Sequence, residues 1–168
     1  MSEDFHAARG VALAIALSGL FAAATAAQEP AVEPLDAFPQ SSLQIESSSG
    51  RQQFTVWIAD TASRRSRGLM YVKWLAPLRG MLFLYREPEV VSMWMKNTLI
   101  PLDMLFVAAD GRVIRIAPRT TPLSLASITS MGPVTGVIEI GGGEAERLGI
   151  ETGARVLHPA FQTLPKER

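Results

Sequence analysis

The feature that most constrains this chain is a series of short apolar runs at strand spacing, separated by turn residues, from residue 43 to residue 158. Leu43-Gln44-Ile45 and Phe54-Thr55-Val56-Trp57-Ile58 alternate apolar and polar side chains around a Ser47-Ser48-Ser49-Gly50 turn, which predicts a hairpin. Further runs follow at 81–85, 90–95, 102–107, 113–116, 134–140 and 155–158, with Asp110-Gly111 as a two-strand turn signal between two of them. Helix signals are sparse. Asp60 or Thr61 can cap a short helix expected to run through Met70, and residues 144–148 suit one more helical turn ended by Gly149. About eight short strands with two minor helices argue against an alternating α/β sheet. They predict a mainly β (α+β) fold, a small barrel-like domain with two short helices. Phe54, Val56, Leu82, Leu84, Leu105, Val113 and Ile138 are its expected core side chains.

Residues 10–27, GVALAIALSGLFAAATAA, form an apolar run that ends in small residues, with Arg9 before it and polar Gln28-Glu29-Pro30 after it. This is the layout of a secretory signal peptide, too short and alanine-rich for a comfortable membrane span. Residues 1–27 are therefore expected to be removed, leaving an exported protein, periplasmic or secreted, with no stable membrane span. Pro30, Pro34 and Pro39 among acidic and small residues predict a disordered linker over 28–42. A single β-rich domain over 43–160 and a tail over 161–168 complete the expected organisation.

Composition removes several kinds of chemistry. Cysteine is absent from the 168 residues, which excludes disulfides, thiolate metal sites and a cysteine nucleophile. Sixteen basic residues balance sixteen acidic ones, so the footprint of a general nucleic-acid binder is missing. Histidines occur at positions 6 and 158, and His158 lies beside Pro159 with no Gly-x-Ser-x-Gly elbow elsewhere, so a serine triad is not expected. Met70, Met81, Met93, Met95 and Met104 are spread over several elements without chelating spacing and read as core fillers, with no metal and no cofactor implied.

The densest stretch is Ser92 to Asp103, SMWMKNTLIPLD. Trp94, Lys96, Asn97 and Thr98 form a loop with an aromatic side chain, a cation and two hydrogen-bonding groups, the equipment of a binding site. Arg67, on the basic face of the first helix with Arg64, is a further candidate binding residue. Asp103, flanked by Leu102 and Met104, is costly to bury unless donors meet it, and it is expected to hold the Asn97 turn. Glu139 is a second lone carboxylate in an apolar strand, expected to pair with an arginine at the sheet edge. With Met70, these two carboxylates are assigned to the frame of the site. A different use of the two carboxylates is as an acid/base pair for hydrolysis.

Gly68-Leu69-Met70, Gly80-Met81-Leu82-Phe83, Trp94-Met95-Lys96-Asn97-Thr98, Pro101-Leu102-Asp103, Asp110-Gly111 and the Glu139 strand occur in an order and spacing that resemble the domain-of-unknown-function family numbered 192. The resemblance runs from about Phe54 to His158. It implies a compact, mainly β domain, often exported. It implies no activity and transfers no catalytic residue. Ala154 departs from the pattern, since the family tends to have an acidic residue after Gly153.

The main functional expectation is a monomeric exported β domain that binds a polar small molecule or a partner segment, without catalysis, at the loop 94–98. The first alternative is a hydrolase using Asp103 and Glu139 with Lys96 and Asn97 as electrophilic or orienting groups. The second is an interaction or regulatory protein docking an acidic partner on the Arg64 and Arg67 face. Nucleic acid is not an expected partner.

Overall fold

The computed structural model describes residues 33–161, so the expected signal peptide and all of the expected tail except Phe161 lie outside the described residues. Seven strands form one curled sheet in the order β5-β4-β6-β3-β2-β1-β7, a half-barrel accompanied by two short helices, as the strand periodicity predicted. The elements are β1 (Gln40–Ser47), β2 (Gly50–Ala59), α1 (Ala62–Arg67), β3 (Arg79–Met93), β4 (Leu102–Val107), β5 (Val113–Ala117), β6 (Ile128–Gly141), α2 (Glu144–Arg147) and β7 (Arg155–Leu157). Neighbours pair antiparallel except β2 and β3, which α1 connects as a parallel pair. The two ends of the sheet approach each other at one corner. There Arg112 bridges Arg155, and the Val113 amide donates to the Ala154 carbonyl at 2.9 Å.

The runs expected as separate strands at 81–85 and 90–95 are one long strand, β3, whose ladder with β6 is interrupted between Leu84 and Glu89 and again between Val90 and Ser92. Extra residues on one strand of a pair bend it locally. The first helix is capped as expected, with the Thr61 side chain accepting from the Arg64 amide at 3.2 Å, but it ends at Arg67 rather than Met70. Gly68 at φ +46° is the reason, a backbone setting that stops a helix and favours glycine.

The half-barrel interior contains Phe54, Val56, Leu82, Leu105, Val113 and Ile138, with Leu84 partly buried against them, which matches the expected core. Truncation of Leu82, fully buried in a central strand, to alanine is expected to cost about 2–5 kcal/mol in a denaturant titration, from lost burial plus the cavity left behind.

The outer face of the same strands is buried too. Met81 and Phe83 of β3, Met104 and Phe106 of β4 and Val137 of β6 form a second apolar layer, covered by Phe38, Leu69 and Met95. This corrects two boundaries. Within the linker expected over 28–42, the described residues are structured, because Leu35–Ala37 forms a 3-10 turn that seats Phe38 in the outer layer before β1 begins at Gln40. Phe161 belongs to the core rather than to a tail. It is buried in the interior cluster where Gly136 leaves room for its ring, and a Cβ on Gly136 would stand 2.7 Å from it. Among the described residues no helix is long and apolar enough to cross a membrane.

Candidate functional site

β-Strand alternation decides which carboxylate goes where. Register pairs Glu139 of β6 with Met81 of β3 on one side and with Met104 of β4 on the other, all on the outer face, whereas Asp103 is paired with Ile140 on the interior face. The two carboxylates are thus on opposite sides of one sheet, and the acid/base pair they were expected to offer a hydrolase is not assembled.

Asp103 is fully buried and occupied by backbone donors. Its Oδ1 accepts from the Arg119 amide at 2.7 Å and the Gly143 amide at 2.9 Å, and its Oδ2 from the amides of Gly143 and Ala145, each at 2.9 Å. It is a frame residue, but it fixes the start of α2 to β4 rather than holding the Asn97 turn. Gly143, at φ +88°, has no side chain to cap α2, and Asp103 supplies the acceptor from across the sheet.

Glu139 is 4% exposed and sits at the base of a cleft of about 320 Å³ on the outer face. Among the described residues its carboxyl has no hydrogen bond and no ion pair, so the expected arginine partner is not there. The reason is position, since β6 lies between β4 and β3 and offers no sheet edge. Burial raises its pKa to about 8, so the carboxyl is mostly protonated at neutral pH. Tyr85, on the same face of β3, is pushed by burial to about 12 and stays a neutral donor, its hydroxyl 3.7 Å from the Met93 sulfur.

One wall of the cleft is the end of α1 and the Gly68-Leu69-Met70 turn, and the other is the loop 94–98. Met95 anchors that loop, its side chain fully buried in the outer layer and its amide bonded to the Ser124 carbonyl at 3.0 Å. Trp94 and Lys96 are exposed on either side of the anchor, with the Lys96 Nζ 5.4 Å from the Trp94 ring centroid. Thr98 is buried against the cleft. Arg67 lines the opposite wall, its Nη1 donating to the carbonyls of Gly68 and Met70 while its Nε is buried without a partner. Burial lowers the Arg67 pKa from its ordinary value.

Of the residues singled out by sequence, Trp94, Lys96, Thr98, Arg67, Met70 and Glu139 converge on this cleft. Asn97 stands behind it. At φ +56°, Asn97 donates from Nδ2 to the Tyr71 hydroxyl at 2.9 Å, and its carbonyl accepts from the Tyr71 amide at 2.9 Å, which ties the two walls together. Asp103 is elsewhere.

Sequence reasoning missed Arg65, Phe83 and Tyr85, which also line the cleft. The period-two spacing of Met81, Phe83 and Tyr85 held a signal for the last two, but only the register with Glu139 turns that spacing into a shared surface. The Arg64 and Arg67 docking face does not form. Arg64 is ion-paired to Glu33 and Asp60 at 3.1 and 3.0 Å, whereas Arg67 turns into the cleft.

A second hollow of about 490 Å³ adjoins the cleft across Arg65 and Tyr85, but its charged side chains Arg86, Glu87 and Glu89 are exposed and need no ligand. His158 Nε2 lies 3.0 Å from the Ser41 hydroxyl. Its Nδ1 accepts from the Ala160 amide at 3.2 Å, which leaves the ring proton on Nε2 and the imidazole unable to act as base toward that serine. Among the described residues no group of three or more His, Asp or Glu side chains is placed to hold a metal ion.

The fold agrees with that of solved structures. A crystal structure described as that of a candidate transcription regulator from Sinorhizobium meliloti superposes with a TM-score of 0.72 at 40% identity, covering 74% of this chain and 97% of that one. A crystal structure of a protein of unknown function from Novosphingobium aromaticivorans gives a TM-score of 0.72 at 38% identity, covering 79% of this chain and 94% of that one. No curated protein matches the chain. The profile of the family DUF192, described as an uncharacterised ACR, matches residues 44–158, which take in β2, both walls of the cleft, Asp103 and Glu139. The chain therefore belongs to the DUF192 family.

Proposed function

We propose that this protein is an exported, monomeric, non-catalytic binding domain, and that its outer-face cleft between the α1 turn and the loop 94–98 takes a polar small molecule. The observation that carries the reading is Glu139, a buried carboxyl without a partner at the base of a cleft lined by Arg65, Arg67 and Lys96. A mostly buried carboxyl with no protein hydrogen bond, open to a concave, polar-rimmed site, is where a ligand can complete the hydrogen bonding. The opposite facing of Asp103 and Glu139 favours binding over hydrolysis. Export rests on the sequence of residues 10–27. Balanced charge gives no support to a nucleic-acid partner, so the description of the S. meliloti relative is not transferred.

A partner segment is the second reading. It is favoured by the exposed Tyr71, Trp94 and Leu123, brought together by backbone hydrogen bonds from the Tyr71 amide to the Asn97 carbonyl and from the Leu123 amide to the Thr98 carbonyl.

The test is an amide NMR screen of polar small molecules and peptides against the full chain. Compounds that bind are expected to shift the resonances of Trp94, Lys96, Thr98 and Arg67. Lys96→Ala is expected to weaken those shifts while changing stability by less than about 1 kcal/mol, since its ammonium group stands in an exposed cation–π pair with Trp94. A Lys96→Ala protein as unstable as an Asp103→Ala protein would make the loop an architectural element. For export, the amino terminus of protein recovered from the native host should lie near Gln28 in a non-cytosolic fraction, and full-length protein in the cytosol would reject it.

A further inference from the structure

The charges around the cleft specify more than polarity. Arg64, Arg112, Arg119 and Arg147 each have a carboxylate partner, whereas Arg65, Arg67 and Lys96 have none among the described residues. Lys73, Arg79, Arg86 and Arg115 also have no ion pair among the described residues, but they do not line the cleft, whereas Arg65, Arg67 and Lys96 converge on it. The guanidinium of Arg67 is held in place through Nη1 by two carbonyls, so little side-chain entropy is left to lose when an anion arrives.

Glu139 is not the missing counter-ion. Burial accounts for its raised pKa, with no offsetting contribution from a neighbouring cation. Floor and cations are therefore separate subsites, one offering a neutral carboxyl and the other positive charge. Between them lie apolar surfaces, Phe83 and Met70 within the cleft and Trp94 beside Lys96.

We propose that the cleft takes a small organic acid with two functional ends: a carboxylate against Arg67 and Lys96, an apolar or aromatic middle against Phe83, Met70 and Trp94, and a hydroxyl or carbonyl oxygen hydrogen-bonded to Glu139. This inference rests on the binding role proposed above and adds the ligand class to it. The carboxyl proton of Glu139 is donated to the ligand oxygen, so affinity falls when that proton is lost above pH about 8. The groups facing Glu139 do not share that titration. Tyr85 from β3 stays neutral until about 12, Met104 from β4 does not titrate, and the charged side chains that share the cleft are Arg65, Arg67 and Lys96.

Calorimetric titration of the full chain at pH 6.5 and pH 9 tests this with four kinds of probe. These are two hydroxy acids, 4-hydroxyphenylacetate and 6-hydroxyhexanoate, an acid without the hydroxyl, phenylacetate, the neutral 4-hydroxyphenylacetamide, and the cationic tyramine. At least one hydroxy acid should bind saturably at pH 6.5, with the amide and the amine at least tenfold weaker and phenylacetate several-fold weaker. Arg67→Met should weaken hydroxy-acid binding at least tenfold. Glu139→Gln, which keeps a neutral hydrogen-bonding group, should retain binding at pH 6.5 and abolish the weakening at pH 9. Tyramine binding more tightly than the acids would overturn the ligand class while leaving a binding cleft in place. Phenylacetate matching 4-hydroxyphenylacetate would overturn the role of Glu139. No heat with any probe, together with unshifted Trp94 and Thr98 resonances, would overturn both this inference and the binding role beneath it.

Discussion

Asp103→Ala should lower the stability of the fold by about 3–5 kcal/mol, measured as a drop in the urea midpoint at unchanged slope. The expectation follows from what the substitution leaves behind. The amides of Arg119, Gly143 and Ala145 all donate to this one carboxylate in a site closed to solvent, and each orphaned buried donor costs about 1–3 kcal/mol before water or local relaxation relieves part of it. Asp103→Asn should not rescue the protein. Both oxygens accept from backbone, so whichever way the new amide is turned its NH2 group faces an N–H donor. An Asp103→Asn protein as stable as the parent would mean that α2 is held by its packing and that the carboxylate matters little to the fold.

The position of Asp103 also marks how far the sequence could be read. A buried carboxylate between Leu102 and Met104 had to meet donors, and that much followed from the residues alone. Which donors it met did not. They lie 16, 40 and 42 residues away, across a turn made possible where Gly142 packs on Pro101, and no spacing rule reaches that far. The strands were legible because period-two alternation is local, and the interior core followed from it. The outer layer was harder to see. Near-continuous apolar runs such as Leu102-Asp103-Met104-Leu105-Phe106-Val107 signal burial on both faces, but what covers the second face is Phe38, Leu69 and Met95, single side chains from irregular segments. The cleft lies among those covering segments. Its loop was recognisable as a motif, and its floor depended on register.

The second large effect is a dependence of stability on pH that Glu139 alone should generate. In the folded protein its carboxyl titrates at about 8, while in the unfolded chain it returns to the ordinary 4.5. Between those values the folded state holds a proton that the unfolded state has released. Stability is therefore highest on the acid side of the window and is lost as pH rises through the folded value, by roughly 1.4 kcal/mol per pH unit and on the order of 4–5 kcal/mol in all. His158 acts in the opposite sense. Burial lowers its pKa, so its contribution is complete above about 6.5 and is lost as pH falls below that value. The histidine therefore flattens the acid end of the profile without moving the loss at higher pH, and comparison with Glu139→Gln separates the two effects. The glutamine variant should match the parent within about 1–2 kcal/mol near pH 5, where both side chains are neutral, and should be clearly more stable at pH 9, because it has no charge to bury. Urea midpoints for both proteins across pH 5–9 measure this directly. Parallel curves for parent and variant would show that the folded protein already supplies Glu139 with a cation or with water, and the cleft would then lack the neutral, unpartnered carboxyl on which its binding role depends.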